Sequence, residues 1–298
     1  MRRVPLLLLA AAALAGEPVR LHTGFRFTEG PAADADGNVY FNDIPAETTW
    51  RSGVDGTLTP FREGSRRANG MMFRADGWLV ACEGAGQVAA YSPDGKERRV
   101  LADRYEGKPF NAPNDLVIDR EGGIWLTDPY LGPAKELPQG TYGVYYVAPG
   151  GEVARAVEGL PKPNGILLSP DEKTLYVVCS GSPDVRAFPV TEPGKIGAER
   201  VFCRLKQPEG RTDTGGDGLT CDTEGNLYIT SRLGVQVWTP KGALVRLLEF
   251  PETPANATFG GRDGKTLYVT ARTSVYTLRL DAKGHRFPAG KSTGAGED

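Results

Sequence analysis

One unit recurs six times along the chain. Each copy opens on an oxygen-bearing polar residue, usually followed by Gly, and continues into an apolar strand. A turn carrying Asp or Glu, most often with Gly, then leads into a second strand rich in Tyr, Val, Ile and Leu. The copies begin at Glu29-Gly30-Pro31, Asn69-Gly70-Met71, Asn114-Asp115-Leu116, Asn164-Gly165-Ile166, Asp217-Gly218-Leu219 and Asn256-Ala257-Thr258. Their starts are 40, 45, 50, 53 and 39 residues apart. Repeats of about 40–50 residues with four strands each are the signature of a β-propeller, since one such sheet cannot bury its faces alone. Third strands are legible at Gln87–Tyr91 and Gly143–Val147, and fourth strands at Arg99-Val100-Leu101 and Leu244–Leu248. The sixth copy lacks a fourth strand. Val19-Arg20-Leu21-His22, ahead of the first copy, can supply it and close the ring, which removes exposed sheet edges. The fold class is therefore all-β: a six-bladed propeller with four-stranded antiparallel blades, closed by an N-terminal strand and spanning residues 16–284. Residues 285–298 read as a flexible tail.

Composition supports this. The 298 residues include 39 Gly and 23 Pro, roughly a fifth of the chain where about 12% is usual. Without a collagen period, that excess means many tight turns between short strands, and a mostly helical protein is excluded. Lys and Arg (35) nearly balance Asp and Glu (37), which leaves no electrostatic footprint for nucleic acid. Met1-Arg2-Arg3, the apolar run Val4–Leu14 and Ala13-Leu14-Ala15 read as a secretory signal peptide over residues 1–15. The run is too short to span a bilayer, so the mature chain is expected to be exported, periplasmic or secreted, with no membrane attachment after cleavage. Cys82, Cys179, Cys203 and Cys221 allow three disulfide pairings, and sequence does not choose between them. Cys82 and Cys179, late in strand-like runs, read as free buried thiols acting as small apolar residues.

In a propeller the first strand of each blade lines the central channel. The opening residues therefore gather around one mouth: Glu29, Asn69, Asn114, Asn164, Asp217 and Asn256. A single Asn-Gly is a turn signal, but six oxygen-bearing side chains at equivalent positions, one of them Glu, point elsewhere. Carboxylate and amide oxygens suit a hard cation such as Ca2+, and Glu29 and Asp217 supply two negative charges. Mg2+, which prefers its waters and strict octahedral geometry, suits the ring less well. No G-x-S-x-G, P-loop or H-E-x-x-H occurs, and the two His residues, His22 and His285, fall outside the ring positions.

The ordered set Glu29-Gly30-Pro31, Pro113-Asn114-Asp115, Pro163-Asn164-Gly165-Ile166, Asp217-Gly218-Leu219 and Asn256-Ala257-Thr258-Phe259-Gly260-Gly261 resembles the gluconolactonase/regucalcin (senescence-marker) family across the whole mature chain. The resemblance implies a lactonase with one divalent ion, Ca2+ or Zn2+, in the channel of a six-bladed propeller. It implies metal ligation by Glu29, Asn164 and Asp217. Asn114 is either a fourth ligand, as in the related phosphotriesterase-type propellers, or a contact to substrate or water, as in the lactonases. Asp217 and Asn114 are the candidate catalytic residues, with Asp217 the candidate base, and Asn69, Asn111 and Arg232 the candidate substrate contacts. One departure stands out. The animal lactonases carry an Arg two residues before the third-blade Asn, where this chain has Ala112; Arg232 or Arg272 can take its place. The expected function is a metal-dependent hydrolase opening a small-molecule lactone. The rivals are an organophosphate or P–F hydrolase on the same site, and a propeller that binds a sugar or protein without catalysis.

Overall fold

The apolar runs between Gly-bearing turns fold, in the computed structural model of the chain, into six antiparallel sheets arranged as the blades of a propeller. The structure describes residues 16–133, 136–212 and 214–288; the signal peptide expected at residues 1–15 and positions 289–298 of the expected tail lie outside them. Blade one is built from Thr28–Ala33, Val39–Asp43, Thr48–Ser52 and Leu58–Glu63. The innermost strands of blades two to six are Ala68–Phe73, Leu116–Ile118, Pro163–Leu168, Leu219–Cys221 and Pro254–Gly260. Val19–Thr23 adds to Ser274–Arg279 of blade six as its fourth strand, so the ring closes where the sequence places the closure. Blade four alone carries a fifth piece, the short strand Lys195–Ile196 folded back on Asp184–Glu192.

Burial follows position in the blade. Every residue of the second strands Val39–Asp43, Leu79–Glu83, Ile124–Asp128 and Leu227–Ser231 is buried, because a blade covers each face. This explains their near-continuous apolar character, in contrast to the alternating outer strands such as Val153–Glu158. Neighbouring blades lock through aromatic contacts: Tyr40 meets Phe73 edge-on at 4.9 Å, and Tyr228 meets Phe259 at 5.0 Å. All four cysteines are buried and free. Cys82 and Cys179 thus pack as thiols, as their strand positions suggest, and burial raises both well above the usual thiol range.

After blade six the chain crosses the mouth opposite the ring of polar residues. His285 N–H donates to the Cys221 carbonyl (2.9 Å), the Arg286 guanidinium donates to the Ala35 carbonyl (2.9 Å), and Phe287 packs on the core of blades three to five.

Candidate active site

Three local devices set the polar ring. The first is a break in the ladder. In blades one, two and four the first strand slips register against the second at Gly30-Pro31, Asn69-Gly70 and Asn164-Gly165. Such bulges re-aim side chains, here toward the channel. In blades three and five the ladder starts after the ring residue. Asn114-Asp115 and Asp217-Gly218 are held by paired bonds to Thr127 and Thr230 at 2.8–3.1 Å.

The second device is glycine as a spacer between blades. A Cβ on Gly30 would enter the Asn69 carbonyl, one on Gly70 the Asp115 carboxyl, one on Gly218 the Asn256 amide, and one on Gly165 would lie 2.5 Å from the Asp217 carbonyl. In blades one, two, four and five the Gly after the ring residue lets the next blade's inner strand approach; Gly70 N–H donates to Asn114 O (2.8 Å) and Gly165 N–H to Asp217 O (3.0 Å). Third, in blades one to five a side chain on or just after the second strand holds the next blade's ring backbone. Asn42 Nδ2 donates to Asn69 O (2.7 Å), Cys82 Sγ to Asp115 O (3.6 Å), Thr127 Oγ1 to Asn164 O (2.6 Å), Ser180 Oγ to Gly216 O (3.3 Å) and Thr230 Oγ1 to Ala255 O (2.7 Å).

The ring so positioned concentrates negative charge out of water. Glu29, 3% exposed, accepts from Gly30 N–H at 2.8 Å. Burial first, then the charge of Asp217, drives its carboxyl well above the usual range. Asp217 stays partly open to the mouth, yet burial pushes it to about 7 against the pull of the Asn164 amide and the Arg272 charge. A third carboxyl, Asp115, is also pushed to about 7 by burial, although Leu116 N–H (2.9 Å) and the Asn256 amide (3.5 Å) donate to it. Asp115 is outside the set expected from sequence. Its signal is positional: it fills the slot that is Gly in blades one, two, four and five, so a side chain enters where the other blades present none.

The expected residues divide into two groups. Glu29, Asp217 and Asn164 meet in the channel; Asn164 Nδ2 rests on Ser180 Oγ (2.9 Å) and its amide also reaches Asp217. Asn114, buried in the third blade, and the half-buried Asn69 make no side-chain hydrogen bond among the described residues, so their amides are available to a bound species. Asn256 donates toward both Asp115 and Glu29, linking two carboxyls. Asn111 is spent internally. Its amide donates to the Asp128 and Thr141 carbonyls (3.1 and 2.9 Å) and accepts from Gln139 N–H (3.1 Å), anchoring the loop that leads into blade three. Arg232 is exposed on the blade-five turn, with no ion pair among the described residues. Arg272, on the equivalent turn of blade six, stacks over Phe27 at 5.5 Å, and its charge is felt by Asp217. His22 bonds Ser52 Oγ (2.8 Å), and His285 lines the opposite mouth. There a cavity of about 510 Å³ runs inward past Met71, Leu116, Ile166, Leu219 and Phe287, meeting the ring from below at Asp115 and Asn256.

The donor chemistry fits a hard cation. Among the described residues no three His, Cys, Asp or Glu side chains are grouped to hold a metal by themselves. A cation in this channel would therefore rely on Glu29 and Asp217 together with amide oxygens of Asn164 and Asn114. A cation between them would let these buried carboxyls stay charged, where burial alone favours their protonated forms.

A gluconolactonase of Zymomonas mobilis is 29% identical over 284 residues, covering 87% of this chain and 80% of that protein. A lactonohydrolase of Aspergillus oryzae is 28% identical over 251 residues, 73% of this chain and 57% of that protein. The solved structure of a gluconolactonase from Xanthomonas campestris superposes with a TM-score of 0.80 at 31% identity, covering 88% of this chain and 89% of that one. The family model for the SMP-30/gluconolactonase/LRE-like region matches residues 27–273, from just before Glu29 to just past Arg272. The chain belongs to the SMP-30/gluconolactonase/LRE-like family.

Proposed function

We propose that the protein hydrolyses lactones with the help of one divalent cation, Ca2+ in preference to Zn2+ or Mg2+, held in the upper channel. The carrying observation is the oxygen-only set of Glu29, Asp217, Asn164 and Asn114 around buried, mutually repelling carboxyls. Relatives named gluconolactonase and lactonohydrolase support the substrate class. When bound there, a divalent cation polarises an ester carbonyl and counters the charge that develops on its oxygen.

The chain's own groups have distinct tasks. Asp217, partly open to the mouth, is the group placed to accept a proton from an attacking water, since no His lies in the ring. Asn164, braced on Ser180, orients Asp217. Asn256 fixes Glu29 and Asp115 relative to one another. The free Asn114 and Asn69 amides are left to meet substrate. The leader read in residues 1–15 supports work outside the cytoplasm.

Turnover of a panel of aliphatic and sugar lactones, with a phosphotriester and a fluorophosphate alongside, tests this reading. Lactone opening should dominate. Phosphoester or P–F cleavage without lactone opening would assign the site to the rival hydrolase. No turnover of any of them would favour a binding propeller.

A further inference from the structure

Eight non-glycine residues take a positive φ among those described, and four are basic: Arg66, Arg67, Lys162 and Arg272. All four lie on the face that carries the polar ring. Left-handed backbone costs an Arg or Lys on the order of 1 kcal/mol that Gly avoids, and the chain uses Gly for such positions at Gly37, Gly77, Gly122 and Gly225. A basic side chain kept in that conformation points to work for its charge.

Arg66 has a local task, since its guanidinium pairs with buried Glu83 at 3.2 Å. Arg67 and Lys162 do not. Arg67 stands two residues before Asn69, and Lys162 two residues before Asn164, so each Cα lies within about 7 Å of a ring Cα. Their backbones do the same job in blades two and four: Arg67 O accepts from Gly84 N–H (3.1 Å) and Lys162 O from Ser180 N–H (2.9 Å). Both side chains are exposed and make no hydrogen bond or ion pair among the described residues. Arg272 completes the set in blade six. Its carbonyl accepts from Thr28 N–H (2.8 Å), next to Glu29, and its guanidinium lies over Phe27. Arg67 and Lys162, unpaired among the described residues, and the Phe27-stacked Arg272 thus stand on alternate blades around a mouth floored by carboxyls.

We propose that Arg67, Lys162 and Arg272 form a collar that recognises an anionic group, carboxylate or phosphate, on the lactone substrate. The proposal rests on the lactone-hydrolase reading and narrows it to lactones carrying a permanent negative charge away from the ester. A charged tail held at the rim leaves the ester to descend to the ring. Attraction between exposed charges is screened by salt, so the preference should weaken as ionic strength rises.

Matched substrates test it. Glucono-1,5-lactone is compared with 6-phosphoglucono-1,5-lactone, and glucono-1,4-lactone with glucaro-1,4-lactone, at low and high salt. The phosphate or the carboxylate member of at least one pair should have a KM about tenfold or more below its neutral partner, which identifies the anion, and the ratio should shrink with salt. Arg67→Gln and Lys162→Gln should each reduce the preference severalfold through KM rather than kcat, while Arg67→Lys retains most of it. Equal KM values within both pairs, with neutral lactones turned over, would overturn the collar and leave the lactone reading standing. A preference surviving replacement of all three would also overturn it. If no lactone, charged or neutral, is opened, the underlying reading falls and the collar with it.

Discussion

At the scale of residues the site depends on how Glu29, Asp115 and Asp217 share a channel. Glu29→Gln removes one of the two charges in the cation's donor set and should weaken Ca2+ binding by well over tenfold. Asn256→Ala, which removes a donor to two carboxyls but no member of the set, should weaken it by about tenfold. Calorimetric titration of the two variants separates them, and equal losses would contradict this division. The carboxyls also set a pH dependence. An unfolded Asp ionises near pH 4, while Asp115 and Asp217 do so near 7 in the fold. Between those values the native state binds more protons, so metal-free stability falls as pH rises through that window. Chelated protein should melt lower at about pH 8 than at about pH 5, and saturating Ca2+ should remove or reverse the difference. The ring members were legible in the sequence because each opens a repeat. Asp115 was not, because it reads as half of an Asn-Asp turn until the Gly slots of the other blades are superposed. Asn111 failed as a contact for the opposite reason: adjacency to Asn114 in sequence says nothing of the Asp128, Gln139 and Thr141 partners that consume it.

At the scale of elements the inner strands are held by glycines and by bonds from the preceding blade. Gly165 has no left-handed backbone to explain it, so Gly165→Ala tests the spacer role by sterics alone. The added methyl meets the Asp217 carbonyl and should cost about 1–3 kcal/mol of stability. Thermal or denaturant unfolding measures it; an unchanged midpoint with unchanged Ca2+ affinity would show the blades can part without consequence. Thr127→Val should likewise cost about 1–3 kcal/mol by leaving the Asn164 carbonyl and a buried site short of a bond. Strands and turns were legible because apolar runs and Asp-Gly pairs mark them locally. The bulges at Gly30, Gly70 and Gly165 were not, since a Gly that admits the next blade and a Gly that makes a turn are the same letter.

At the scale of the whole molecule the propeller is a closed ring whose cavity and polar ring face opposite mouths. Closure rests on Val19–Thr23, which bonds Ser274–Arg279 and carries the contacts of Arg20 with Tyr276 and Thr23 with Ser274. Removing those residues should expose the edge of blade six, lower the melting temperature and promote self-association, visible in sedimentation. The central claim concerns the ring as one unit that holds a cation for lactone opening. Chelator-stripped protein titrated with Ca2+, with lactone turnover read at each addition, tests it most directly. Turnover should be absent at the start, return in proportion to added metal and saturate near about one equivalent. Full lactone turnover by the stripped protein, or none restored by Ca2+, Zn2+ or Mg2+, would contradict the account.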